Sequence, residues 1–168
     1  MLIDGVPVTP ALYVRDLGIY LDRDLSMQTH VQLTVSRCFA AVRQLHQIRH
    51  SVPAATFQTL VVAFIHSRLD YGNVVLVGLP AYLTRRLQSV LTAAAQLIFY
   101  LRRSDHISDA LVCLHWLRVP ERVEYEIAVL THKVLCGTAP RYLGPLNSPR
   151  NRRRLLPPPL RPRTATRC

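Results

Sequence analysis

The sequence contains one lysine, Lys133; every other basic residue among its 21 is arginine, set against 10 acids, so the 168-residue chain carries a net charge of +11. Arginine's planar, bidentate donors suit phosphate, and a biased base composition in the coding sequence gives the same excess; charge speaks to partners rather than to fold. The excess is uneven, because residues 141–168 hold eight arginines and no acid, leaving +3 for the rest. Cysteine is sparse and scattered: Cys38, Cys113, Cys136 and Cys168 make no Cys-x-x-Cys pair, and no basic-then-apolar leader follows Met1. Both absences disfavour secretion and point to reduced thiols in an intracellular protein, nuclear or cytoplasmic. Long hydrophobic runs are missing too. The longest uncharged ones, 60–65 and 74–79, fall far short of the roughly 20 residues of a membrane span, so no membrane partner is expected. With no glycine-rich phosphate loop and no nucleophile elbow, hydrolase and nucleotide-binding chemistry are poorly supported, and no cofactor is expected.

Apolar residues make up 49% and charged residues 18%, a globular composition for one domain with or without a tail. Residues 2–22 alternate turn formers (Asp4-Gly5, Pro7, Pro10) with Ile3, Val6, Val8, Val14 and Ile19, which predicts a small edge-like strand pair. Asp22, Asp24 and Ser26 then precede a helix on which Val31, Val35, Cys38, Val42 and Leu45 recur at helical spacing, ending near His50. Pro53 opens a second helix through Phe57, Leu60, Val61, Phe64, Ile65 and Leu69, continuing past Gly72 towards Leu76. Pro80 opens a third, with Leu83, Leu87, Val90, Ala94, Leu97 and Leu101 on one face and Arg102-Arg103 closing its carbonyl end. A short helix capped by Ser108 delivers Trp116. The last runs from Pro120 through Val123, Ile127, Leu130 and Val134 to a stop at Gly137. After Leu146, 22 residues include five prolines and seven arginines, a composition that cannot offset its ordering entropy and predicts disorder.

Several of these segments carry a further signal. Ser67-Arg68-Leu69-Asp70-Tyr71, Gly78-Leu79-Pro80, and Leu87-Gln88 followed by Ala93-Ala94-Ala95 occur in this order, with His106-Ile107, Leu114-His115-Trp116-Leu117 and Gly137-Thr138-Ala139-Pro140-Arg141-Tyr142-Leu143 downstream. Upstream lie Val14-Arg15-Asp16-Leu17-Gly18-Ile19 and Asp22 to His30. Over residues 2–146 the chain resembles the C-terminal part of non-LTR (LINE-type) retrotransposon reverse transcriptases, the end of the palm plus the thumb. The resemblance implies a helical thumb that grips template-primer, preceded by the truncated rim of a palm sheet. The family commonly has a cysteine where this chain has Gly72, and its basic tail departs from the family pattern. The family's hallmark, an aromatic-Ala-Asp-Asp turn that holds two catalytic metals, is missing: the chain contains no Asp-Asp pair.

Asp16, Asp22 and Asp24 lie close in sequence, but at strand ends and a helix start, where acids are routine and no further constellation supports metal binding. His46 and His50, four apart, and Cys113 and His115, two apart, each lack the second pair a tetrahedral zinc site needs; core packing or a buried hydrogen bond is the better account. The third helix places Arg85, Ser89, Thr92 and Gln96 along one stripe, with Arg86 adjacent and Arg102 and Arg103 at the far end. Arginines and hydroxyls in a stripe are what backbone-phosphate contact uses, while the bland alternative is a solvated face. The tail arginines, Arg150, Arg152, Arg153 and Arg154, fit a nuclear address or a nonspecific nucleic-acid tether, and equally residues read out of frame.

The expected fold is mainly α: a bundle of four to five helices (26–146) with a small N-terminal β remnant (1–25) and a disordered basic C-terminal tail (147–168). The expected function is binding of RNA, DNA or an RNA-DNA hybrid through phosphates, without catalysis and without a metal. The alternatives are a helical protein-interaction domain that self-associates through its N-terminal strands, or a genomic relic without a selected role.

Overall fold

The computed structural model describes residues 2–3, 6–7, 11–102, 104–140 and 142–143, so Arg103, Arg150, Arg152, Arg153 and Arg154 and the expected tail lie outside the described residues. The chain is mainly helical, with small antiparallel ribbons at its N-terminus, and falls into two compact units, Met1–Glu126 and Ile127–Cys168. The ribbons belong to the same unit as most of the helices.

Two separate two-stranded ribbons open the first unit. β1 (Leu2–Ile3) pairs with β2 (Val6–Pro7), and β3 (Tyr13–Asp16) with β4 (Ile19–Asp22). Pro7 sits in a ribbon that has no central strand, where its missing donor costs least. Leu17 and Gly18, at φ 44° and 88°, form the two-residue turn that matches the twist of β3 and β4. β4 lies along α1 (Gln28–Ile48). There the Tyr20 hydroxyl accepts a bond from Arg37 Nη2 at 3.0 Å, with the Arg15 and Arg37 guanidiniums over its ring.

Of the acids expected at the start of α1, Asp22 satisfies a free amide, but from a distance, while Asp24 accepts from the Ser26 amide ahead of the helix. The N-cap residue is Met27, in the left-handed region and with no side-chain bond. Asp22, at the end of β4, reaches over it to accept from the Thr29 amide at 3.1 Å and the Ser26 hydroxyl at 3.2 Å. Burial pushes the Asp22 carboxyl up, and the bonds from Thr29, Ser26 and Gln28 outweigh it, holding the group below the usual carboxylate range. On the inner face of α1, Val31, Val35, Cys38, Ala41 and Leu45 are buried. Burial pushes the Cys38 thiol up to about 11, so it stays protonated and inert.

After a 3₁₀ turn (Arg49–Ser51) the chain runs helically from 54 to 69 as α2 (Ala54–Val61), a π-helical turn (Val62–His66) and α3 (Ser67–Leu69). The π turn corrects the expected core face. Its extra residue rotates the register, so Ile65 and His66 turn inward while Phe64 is 46% exposed. The helix also stops earlier than expected, at Leu69 rather than near Leu76. Gly72 adopts φ 74°, and a Cβ there would stand 2.9 Å from Ile19 Cδ1. Beside it the Tyr71 hydroxyl donates to the Leu17 carbonyl, and a Cβ on Gly18 would meet the Tyr71 ring at 3.2 Å. The tip of the β3–β4 ribbon is thus seated on the turn at 70–72. The left-handed φ of Gly72 favours glycine at that turn.

A short 3₁₀ segment (Asn73–Leu76) leads to α4 (Ala81–Phe99), which packs chiefly on α1. Pro53 and Pro80 both sit at the N-cap, one residue before their helices, with extended ψ. Leu83, Leu87, Val90, Leu91, Ala94, Ala95 and Leu97 of α4 are buried; small Ala94 and Ala95 leave room for close helix approach. Of the Arg102-Arg103 pair expected to close this helix, Arg103 lies outside the described residues. α4 ends at Phe99 with Tyr100 left-handed at φ 56°, and the cation on its last carbonyls is Arg49, whose Nη2 donates to the Ile98 carbonyl at 2.5 Å.

Ser108 is the first residue of α5 (Ser108–Cys113) rather than its cap, since Ile107 holds the N-cap without a side-chain bond. His115, at φ 55°, turns the chain after α5 so that the Trp116 amide reaches the Leu111 carbonyl at 2.9 Å. α6 (Val119–Leu135) begins with the Glu121 carboxylate accepting from the Arg118 amide and Gln88 Oε1 accepting from the Val119 amide, each at 2.9 Å. Val123 is buried. Within the second unit, Val134 is buried and Leu130 exposed, and Gly137 at φ 73° ends the helix, with the Thr138 amide on the Lys133 carbonyl at 3.0 Å.

Candidate nucleic-acid interface

Helical rise places Arg85 and Gln96 roughly 16 Å apart along α4. Arg85, Arg86 and Ser89 are exposed, while Thr92 and Gln96 are half-buried. The polar groups of the stripe divide by use. The Ser89 hydroxyl donates to the Arg86 carbonyl at 2.6 Å, and Gln96 Nε2 donates to the Arg102 carbonyl at 3.3 Å, so both hold local backbone. Arg102 is exposed and its amide donates to Asp105 at 2.7 Å. α4 contains no acid, and among the described residues the one ion pair joins Arg122 to Asp70. Arg85 and Arg86 therefore stand side by side as uncompensated cations. Arg49 of the first helical region is buried and bonded to the Ile98 carbonyl, whereas Arg37, bonded to Tyr20, and Arg43 are exposed.

A second polar cluster lies at the end of the 54–69 run. Arg122 reaches across from α6 and grips Asp70 in two bonds, Nε to Oδ1 at 2.8 Å and Nη2 to Oδ2; the same Nη2 lies 3.0 Å from His66 Nδ1. Asn73 Nδ2 donates to Asp70 Oδ1 at 3.2 Å, and the Trp116 ring covers His66 at a centroid distance of 4.1 Å. Because Arg122 can only donate, His66 Nδ1 accepts and its proton sits on Nε2, which is buried without a partner. Burial, and then the Arg122 charge, lower the His66 pKa to about 4 against the pull of Asp70. His66 is neutral at physiological pH, so within the first unit the cluster ties the start of α6 to the helical run rather than shuttling protons near pH 7.

This cluster corrects the expectation for His115, which is exposed; the histidine packed on Trp116 is His66, roughly fifty residues earlier. His46, His50 and Cys113 are exposed as well. Asp22 and Asp24 are bonded to Ser26 and the start of α1. Among the described residues no three His, Cys, Asp or Glu side chains converge as a metal site, and no helix is long and apolar enough to cross a membrane. No family model matches the chain, no curated protein matches its sequence, and no solved structure matches its fold.

Proposed function

We propose that this chain is a non-enzymatic helical bundle that grips RNA, DNA or an RNA-DNA hybrid through backbone phosphates, in the manner of the reverse-transcriptase thumb it resembles. The observation that carries it is the outer face of α4, where Arg85 and Arg86 are exposed and unpaired on a helix without an acid. A merely solvated helix face mixes charges of both signs; an uncompensated arginine pair attracts a polyanion and releases its counterions. Ser89 and Gln96 support this face by holding its backbone, and Arg102 extends it past the end of α4. Binding without turnover accords with the missing Asp-Asp pair and with Asp22 and Asp24 being used to order a helix start. Such a ligand places the protein in the nucleus or cytoplasm. Anisotropy titrations on labelled duplex DNA and RNA-DNA hybrid test the proposal. Changing Arg85→Gln and Arg86→Gln together weakens both about tenfold at low salt, without preference between them.

A second reading, self-association, rests on a different observation. Among the described residues β3 pairs only with β4, and Val14 and Leu17 are 55% and 83% exposed. An open, apolar edge is a template for another strand. Deleting residues 2–22 would remove Asp22 and Tyr20 from α1, so Val14→Lys is the cleaner probe. If the edge pairs two copies, light scattering shows a dimer for the parent chain and a monomer for the variant; monomers in both cases rule it out.

A further inference from the structure

Tyr100 breaks the rule for its position. A helix that ends in a left-handed residue ordinarily places glycine there, because a side chain at φ 56° is strained. Here an aromatic residue takes the strain, yet its ring is 65% exposed and so gains little from core burial. The ring is nevertheless held: the Arg49 guanidinium, itself buried and bonded to the Ile98 carbonyl, lies over it, and Arg49 is backed in turn by Phe57. The His50 ring stands 6.2 Å away, tilted by 42°. These side chains line a cleft of about 560 Å³ together with Gln58 and Phe99, a size within the ordinary range for small-ligand sites.

We propose that this cleft takes an unpaired nucleobase of single-stranded nucleic acid, stacked on Tyr100. The proposal rests on the phosphate-gripping function above and deepens it. With the Arg49 cation over one face and its other side exposed, the Tyr100 ring offers a π surface on which a base of any identity stacks. Gln58, with one acceptor and two donors, and the His50 imidazole are the groups lining the cleft with which a base edge pairs. An apolar peptide side chain would make no use of the buried Arg49 or of Gln58.

The test compares a single-stranded oligonucleotide carrying the fluorescent base 2-aminopurine with a blunt duplex of equal length, using the full chain. Tyr100→Gly removes the platform and relieves the left-handed strain, so the melting midpoint does not fall while single-strand affinity drops about 10- to 100-fold. The quenching of 2-aminopurine is lost with it, and duplex affinity and its salt dependence stay unchanged. Tyr100→Phe retains both quenching and affinity. Equal single-strand binding by the glycine variant and the parent, with duplex binding intact, overturns the stacking proposal alone. Equal losses on duplex and single strand also overturn it, since they assign Tyr100 a structural role. Absence of any nucleic-acid binding sinks both this proposal and the one it rests on.

Discussion

Replacing Arg122 with alanine lowers the unfolding free energy by about 2–3 kcal/mol, measured by urea denaturation at neutral pH. The size follows from what one guanidinium does. It grips both oxygens of Asp70 and reaches His66, so its loss strands a carboxylate and leaves both ring nitrogens of a buried histidine without partners. The Asp70 side chain is 39% exposed, and water recovers part of the loss, which keeps the effect below that of breaking a fully buried pair. Asp70→Asn together with Arg122→Ala costs less than the two changes summed, because both remove the same bonds. A shift below about 0.5 kcal/mol for Arg122→Ala would show that the pair is an incidental surface contact.

The second large effect is loss of stability in mild acid. The His66 pKa is lowered in the folded protein to about 4, while the unfolded chain takes up that proton near the ordinary 6.5. The unfolded state therefore binds more protons as pH falls through this window. The contribution of His66 is complete above 6.5, declines between 6.5 and 4, and levels off below, amounting to at most about 3 kcal/mol. His30 acts in the same direction, since burial and then Arg37 lower its pKa against Asp22. The low-lying carboxyls of Asp22 and Asp24 add their own loss only below the usual carboxylate range. Denaturation curves across this range, repeated for His66→Gln, show a shallower decline in the variant; parallel curves would mean that His66 is not shielded from water.

The sequence made most of the helical stripes legible because their apolar residues are local and periodic. Val31, Val35, Cys38 and Leu45 on α1, and Leu83, Leu87, Val90, Ala94 and Leu97 on α4, face inward as their spacing requires. The π turn was not legible: Phe57, Val61, Ile65 and Leu69 step by four, but so do the buried Leu83, Leu87, Leu91 and Ala95 of the regular helix α4. The Arg122–Asp70–His66 cluster was not legible, because Arg122 lies more than fifty residues from the other two and one sequence carries no signal of such pairing. Nothing local in the sequence marks Arg49, and the fold shows it bonded to the last turn of α4. His115 read as core because of the tryptophan beside it, although its backbone, not its ring, positions that tryptophan. Of the interface, the placement of Arg85 and Arg86 followed from helical spacing, while the internal bonds of Ser89 and Gln96 depended on three-dimensional detail.

The central claim, that α4 holds phosphates through Arg85 and Arg86, is tested most directly by the salt dependence of duplex binding rather than by affinity at one salt concentration. Arginines elsewhere in the chain add to the total slope of log K against log salt, so the difference between parent and variant is the quantity that counts. If each arginine neutralises one phosphate, Arg85→Gln with Arg86→Gln reduces the magnitude of that slope by about 1.8. An unchanged slope, with the fold intact, would show that this face does not touch the nucleic-acid backbone.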